Sequence, residues 1–133
     1  MKRSNSIFQG GWYSEINEYV IACDWALENK NIIAADITGN IYSFDAKTGK
    51  LLYMQKDTHN KSLLDLAVNP NGSIYATCGQ NGKVDINAAS DGSLLSSSSL
   101  GNDWIDNIQW TNNEKLLAGS IGKFVHVIDS SGN

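Results

Sequence analysis

The sequence predicts an all-β chain built from three copies of one four-stranded antiparallel module. Two observations carry that prediction. First, landmarks recur. Val20, Leu63 and Ile105, each opening an apolar run, lie 43 and 42 positions apart, and Asp45, Ala88 and Asp129, each closing the core of a unit, lie 43 and 41 apart. Two landmarks moving in step over three units mark stacked copies of one supersecondary module. Second, the runs between them are short and separated by turn residues, and the density of Gly, Asn and β-branched residues disfavours helix. A period of about 40–45 residues filled with short strands is that of a β-propeller, one blade per repeat. A single domain over 1–133 follows, with repeats at approximately 16–58, 59–100 and 101–133.

The elements follow in order. In the first unit Tyr19–Trp25, Asn31–Ala35, Asn40–Asp45 and Lys50–Gln55 read as strands, the last entered through the turn Lys47-Thr48-Gly49. The middle unit reads Leu63–Val68, then Asn69-Pro70-Asn71-Gly72, where Pro fixes one φ and Asn-Gly tolerates positive φ. Ser73–Cys78 is its second strand, Gln80-Asn81-Gly82 a hairpin signal, and Lys83–Ala88 its third strand. Ser90-Asp91-Gly92 turns into Ser93–Ser98, where the serine run suits an exposed outer strand. The third unit offers Ile105–Trp110, Lys115–Gly119 and Phe124–Asp129, and reaches Ser130–Asn133 where a fourth strand should begin.

An N-terminal strand over 6–13 is expected to complete that last blade, as the first strand of a ring commonly does. Ile32-Ile33-Ala34-Ala35 and Leu116-Leu117-Ala118 are apolar on both sides, as expected of strands sandwiched between neighbouring blades. The small residues Ala34, Ala35, Ala76 and Ala118 suit a tapered centre. Propellers close with four to eight blades. Three blades would leave two broad apolar faces, so self-association, completion by another chain or completion by missing blades is expected.

Composition narrows the function. The 41 % hydrophobic content is that of a globular protein. Apolar runs stay far shorter than the roughly 20 residues of a membrane span, and the N-terminus lacks the apolar core of a secretory signal. Cytoplasmic residence is the expectation. A net charge of −4 with singly scattered basic residues argues against nucleic acid or an anionic membrane as partner. Cys23 and Cys78, each inside an apolar run, are expected to be buried free thiols.

The stretch His59-Asn60-Lys61-Ser62-Leu63-Leu64-Asp65-Leu66-Ala67-Val68-Asn69-Pro70-Asn71-Gly72 resembles the histidine-to-Pro-Asp-Gly part of a WD repeat. Phe44-Asp45 and Ile128-Asp129 stand where that family shows Trp-Asp, and the middle unit has Asn87-Ala88 there. The resemblance covers roughly residues 16–129, with eroded signature dipeptides. Only His59 stands at the family's histidine position, which Ile16 and Gly101 occupy in the other units. The resemblance implies that the hydrogen-bond network tying that histidine to the tryptophan is absent or partial. Separately, Gly39–Leu52, with Asp45-Ala46-Lys47-Thr48-Gly49-Lys50, is similar to one repeat of quinoprotein-type propellers. That likeness implies a small-molecule-binding propeller fragment as the alternative.

No catalytic residues are expected. His126 sits mid-strand between Val125 and Val127, His59 has a loop position with an orienting role in the family, and no glycine elbow precedes a serine. Two isolated histidines and two cysteines at unmatched repeat positions give no metal-ligand spacing, and Asp103 and Asp106 fix no paired site. No cofactor is expected. The WD resemblance implies instead that the residues just before and just after the opening apolar position of each innermost strand lie on a partner-binding face. Those are Tyr19 and Ile21, Ser62 and Leu64, Trp104 and Asp106. Aromatic side chains in such places suit a binding hot spot, and would equally suit a seal between blades. A protein-interaction scaffold is the expected function.

Overall fold

The computed structural model describes residues 11–16, 18–56 and 58–131. Its strands form three antiparallel sheets, each in simple sequence order. The first holds β1 (Val20–Ala26), β2 (Asn31–Asp36), β3 (Ile41–Asp45) and β4 (Leu51–Gln55). The second holds β5 (Leu63–Val68), β6 (Ile74–Gly79), β7 (Lys83–Ala88) and β8 (Leu94–Ser99). The third holds β9 (Ile105–Trp110), β10 (Lys115–Ser120) and β11 (Val125–Asp129). A single 3-10 turn over Thr58–Lys61 leads from the first sheet to the second. Strands β5, β7 and β9 have the bounds expected from sequence, β1, β6 and β8 are shifted by one residue at both ends, and the others differ by a residue at one end.

Turn chemistry sets these boundaries. The Asp45 carboxylate accepts from the backbone N–H of Lys47 and of Thr48, both at 2.9 Å, before Gly49 turns at φ 77°. Asp91 accepts likewise from the Ser93 N–H (2.9 Å), and Asp129 from the Ser131 N–H (3.0 Å). Such side-chain-to-backbone bonds two residues on mimic a backbone turn. The segment that resembles a quinoprotein repeat thus shares its aspartate turn bond with Asp129 of the third sheet, while in the second sheet Ala88 takes that place and Asp91 bonds from the position of Thr48.

The sheets stack face to face through their inner strands: β1 lies beside β5, and β5 beside β9. Alternation then sorts the core. Ile33, Ala35 and Ile41 of the first sheet meet Leu66, Val68 and Tyr75 of the second. Ala76, Cys78, Val84 and Ile86 leave the opposite face of the second sheet to meet Ile108, Leu116, Ala118 and Ile128 of the third. The second sheet is therefore covered on both faces, which is why its inner strands lack polar alternation.

Polar bonds staple the same junctions. Asp24 Oδ2 accepts from the Val68 N–H at 3.2 Å, and Asp65 Oδ2 from the Ile108 N–H at 2.9 Å. Trp110 donates its indole N–H to the Ala67 carbonyl at 3.0 Å. Hairpin tips join as well: the Leu27 N–H donates to Gly72 O (3.0 Å), and the Asn69 amide to Asn113 O (2.8 Å).

Two expectations need revision. Cys78 is buried, but Cys23 is exposed, on the side of the first sheet against which no other sheet lies among the described residues. The expected N-terminal strand over 6–13 lies largely outside the described residues, and Gly11, Trp12 and Tyr13 are in no strand. Trp12 instead packs on the first sheet, its ring 5.9 Å from that of Phe44 and its indole N–H donating to the Ala46 carbonyl at 2.8 Å. With Ile16 it covers Ala34, Tyr42 and Phe44.

Candidate functional site: the mouth of the inner strands

Each inner strand opens with the same backbone device. The residue just before it accepts, through its carbonyl, a hydrogen bond from the loop that follows the second strand. Ile37 N–H donates to Tyr19 O (2.9 Å), Gln80 N–H to Ser62 O (3.1 Å) and Ile121 N–H to Trp104 O (3.1 Å). The backbone is fixed while the side chain stays out of the ladder. Next comes an anchor: Leu63 and Ile105 are fully buried, whereas Val20, on the end sheet, is exposed.

Then each ladder slips by one residue. Pairing jumps from Val20 to Ala22, from Leu63 to Asp65 and from Ile105 to Asn107. The residue skipped in each case is Ile21, Leu64 or Asp106, three of the six residues expected on the partner face. A bulge leaves its extra residue unpaired and re-aims its side chain. The repeat position was legible in the sequence; the bulge was not, and it leaves Asp106 exposed and Leu64 half-buried, while Ile21 still packs against the core between the first and second sheets.

Exposure at the mouth is uneven. Tyr19 is 81 % exposed and Trp104 44 %. Ser62, Ile21 and Leu64 are half-buried, and Asp106 is exposed with its carboxylate accepting from the Asn107 amide at 3.0 Å.

Solved WD40 domains superpose on this arrangement. The C-terminal WD40 domain of Sif2 matches with a TM-score of 0.78 at 16 % identity, over 91 % of this chain and 36 % of that one. The RRP9 WD40 repeats match at 0.79 and 15 % over 86 % and 36 %, and the Cps50 (Swd1) β-propeller domain of Myceliophteria thermophila at 0.74 and 13 % over 88 % and 37 %. The fold is that of WD40 repeats. No protein-family model and no curated protein matches the chain. The chain spans a little over a third of the length of these solved structures.

Within this WD40-type fold, His59 anchors a network that the eroded dipeptides conceal. Its Nδ1 lies 2.9 Å from Asn81 Oδ1 and its Nε2 2.7 Å from Thr77 Oγ1, with Asp85 Oδ2 at 3.7 Å. The network is thus partial, as the resemblance implied: histidine, hydroxyl and amide are joined, without a tryptophan. His59 and Thr77 are buried, so this histidine–hydroxyl pair faces the protein and not solvent.

The first sheet solves the same problem differently. Asp36, fully buried, accepts from the Thr38 hydroxyl (2.8 Å), the Asn40 backbone and side chain (3.0 Å each) and the Tyr42 hydroxyl (2.8 Å). Burial works to raise its carboxyl, and these hydrogen bonds together outweigh burial and hold it below the usual carboxylate value. Neither cluster was legible from sequence alone. The signal lay in His59 at the family's histidine position with Thr77 and Asn81 in the second strand and the turn after it, and in the replacement of the histidine by Ile16 alongside Asp36 and Tyr42. Among the described residues no group of three or more His, Cys, Asp and Glu stands close enough to hold a metal.

Proposed function

We propose that the chain is a non-catalytic protein-interaction module whose partner face is the mouth formed by Tyr19, Ile21, Ser62, Leu64, Trp104 and Asp106. One observation carries the reading: three ladder-pinned, bulged strand openings leave Tyr19, Trp104 and Asp106 exposed at one mouth, two of them large aromatics. Aromatic anchors with few rotatable bonds are what interface hot spots use. The whole chain is net acidic and Asp106 is the one charge among these six residues, which suits a protein surface better than a polyanion. The open ends of the stack suit self-association, or completion by another chain or further blades. Cys23 and Cys78 are free thiols, in keeping with a reducing, cytoplasmic setting.

The test is affinity capture from a native extract by the parent chain and by Trp104→Ala and Tyr19→Ala variants, with melting curves for each. The reading expects a bound protein to be lost or weakened while the melting midpoint stays within a few degrees. Capture that survives both substitutions, or is lost only together with the fold, would overturn it.

A further inference from the structure

We propose that Asn71, in the hairpin between β5 and β6, is a self-modification site, converted by spontaneous deamidation to aspartate and isoaspartate. The fold locks the matching Asn81, in the hairpin between β6 and β7, against the same reaction.

Asn71-Gly72 and Asn81-Gly82 are the two Asn-Gly pairs of the sequence. At such a pair the glycine nitrogen can attack the asparagine Cγ, because no Cβ shields the approach. The nitrogen gives up its proton to solvent, ammonia leaves, and a five-membered succinimide closes. Water then opens the ring at either carbonyl. The product is aspartate, or isoaspartate with the backbone routed through the side-chain methylene. Overall, one amide and one water become one carboxylate and one ammonium ion. Closure requires the side-chain amide to leave its hydrogen bonds and the turn to open, so the surroundings of each pair set its rate.

Asn81 is held by buried partners. Its Oδ1 accepts from the Lys83 N–H at 3.2 Å and lies 2.9 Å from His59 Nδ1. A backbone N–H can only donate, so the amide oxygen is the acceptor there and His59 carries its proton on Nδ1. Nε2 then accepts from the Thr77 hydroxyl at 2.7 Å. His59 and Thr77 are buried, so water does not compete for these bonds. The turn is clamped as well: Gly82 O accepts from the Leu100 N–H at 2.9 Å, and a Cβ on Gly82 would strike the Gly101 carbonyl. Swinging the Asn81 amide onto the Gly82 nitrogen therefore means breaking the histidine network and parting the hairpin from the chain that leads to β9.

Asn71 has weaker holds. Its Oδ1 accepts from the N–H and the hydroxyl of Ser73, at 2.9 and 2.7 Å. Both residues are exposed, where water replaces such bonds at little cost. The tip is fastened to the first sheet by the Leu27 N–H, which donates to Gly72 O at 3.0 Å. That fastening is under strain, since Leu27, Glu28 and Asn29 follow one another at φ 51°, 57° and 64°. The left-handed region is unfavourable for residues with a Cβ, and runs of it are rare. Letting go of Gly72 relaxes that strain, so this tip opens more readily than the one at Asn81. One bond runs the other way: the Gly72 N–H donates to Asn69 O at 2.7 Å, against 3.3 Å from the Gly82 N–H to Gly79 O. A single turn bond beside exposed Pro70, Asn71 and Ser73 holds less firmly than a buried histidine network.

Conversion would act on the junction of the first two sheets. Asn71 lines a surface recess with Leu27, Glu28, Lys30 and Ser73, so a carboxylate there joins the exposed Glu28–Lys30 pair. Isoaspartate also lengthens the backbone inside the turn, which pulls Gly72 O away from the Leu27 N–H.

The full chain would be aged at body temperature and mildly alkaline pH, in buffer and in concentrated urea. Peptide mass spectrometry reads conversion at each site, and enzymatic methyl transfer counts isoaspartate. The proposal expects Asn71 to convert at least about tenfold faster than Asn81 in buffer, and the two rates to become comparable in urea. It expects His59→Ala to raise conversion of Asn81 about tenfold while Asn71 keeps its parental rate. If that variant unfolds, which would speed both sites together, Thr77→Val loosens the histidine more gently and carries the same expectation. The Leu27 amide should exchange faster in aged chain than in fresh chain. Asn71 converting no faster than Asn81 in buffer, a rate ratio unchanged by urea, or a folded variant in which Asn81 stays inert would overturn the proposal. Unchanged exchange at Leu27 in converted chain would overturn its effect on the junction.

Discussion

At the scale of single residues, conformation and charge yield the sharpest expectations. Gly82 turns at φ +71°, and a Cβ there would run into the carbonyl of Gly101. A Gly82→Val chain has to meet both a disfavoured backbone and that contact, so it should lose on the order of 1 kcal/mol or more, read from urea unfolding. Asp36 tests the buried cluster. Its folded-state value lies below the usual 3.8, so the folded chain favours the charged carboxylate more than the unfolded chain does. That stabilisation is complete well above pH 3.8 and fades as pH falls through the lowered folded value. An Asp36→Ala variant should therefore melt below the parent at pH 7, by about 1–3 kcal/mol for the stranded partners. The gap between the two melting curves should narrow below about pH 4; a gap that stayed constant down to pH 2 would show that the charge is not what Asp36 contributes.

At the scale of elements, the strands were legible because turn residues and apolar runs speak locally. Leu63–Val68 is bracketed by a loop and by Asn69-Pro70-Asn71-Gly72, and its bounds emerge without tertiary knowledge. What escaped the sequence is what one sheet does to the next. Cys23 and Cys78 look alike in their runs, yet only Cys78 has a sheet on its side. Asp24 and Asp65 read as ordinary strand polars, but each accepts a backbone N–H from the following sheet. The positions expected on a partner face came through the family resemblance, while the bulges at Ile21, Leu64 and Asp106 have no local sequence signal. The clamps carry a prediction. Asp65→Ala strands the Ile108 N–H at the second junction and should cost about 1–2 kcal/mol by urea unfolding, whereas Asp91→Ala, which loses only an exposed turn bond, should cost less.

At the scale of the whole molecule, the three sheets of the described residues form a short linear array in which the middle one has two neighbours and each end one has a single neighbour among them. Stability in such arrays is approximately a sum of unit terms and nearest-neighbour terms. Amide hydrogen exchange should follow: β5, β6 and β7 slowest, β11 and β4 fastest, with the first and third sheets able to open without the second. Equal protection across all three sheets would mean that the array unfolds as one block.

The bulge at each strand opening has a consequence for change over time. Because the backbone, through a carbonyl bond on one side and a ladder slip on the other, holds Tyr19 and Asp106 away from the core, the identity of those side chains is decoupled from folding. Such positions can drift, be rewritten by selection or be randomised in a library at little structural cost, while the scaffold beneath stays as it is.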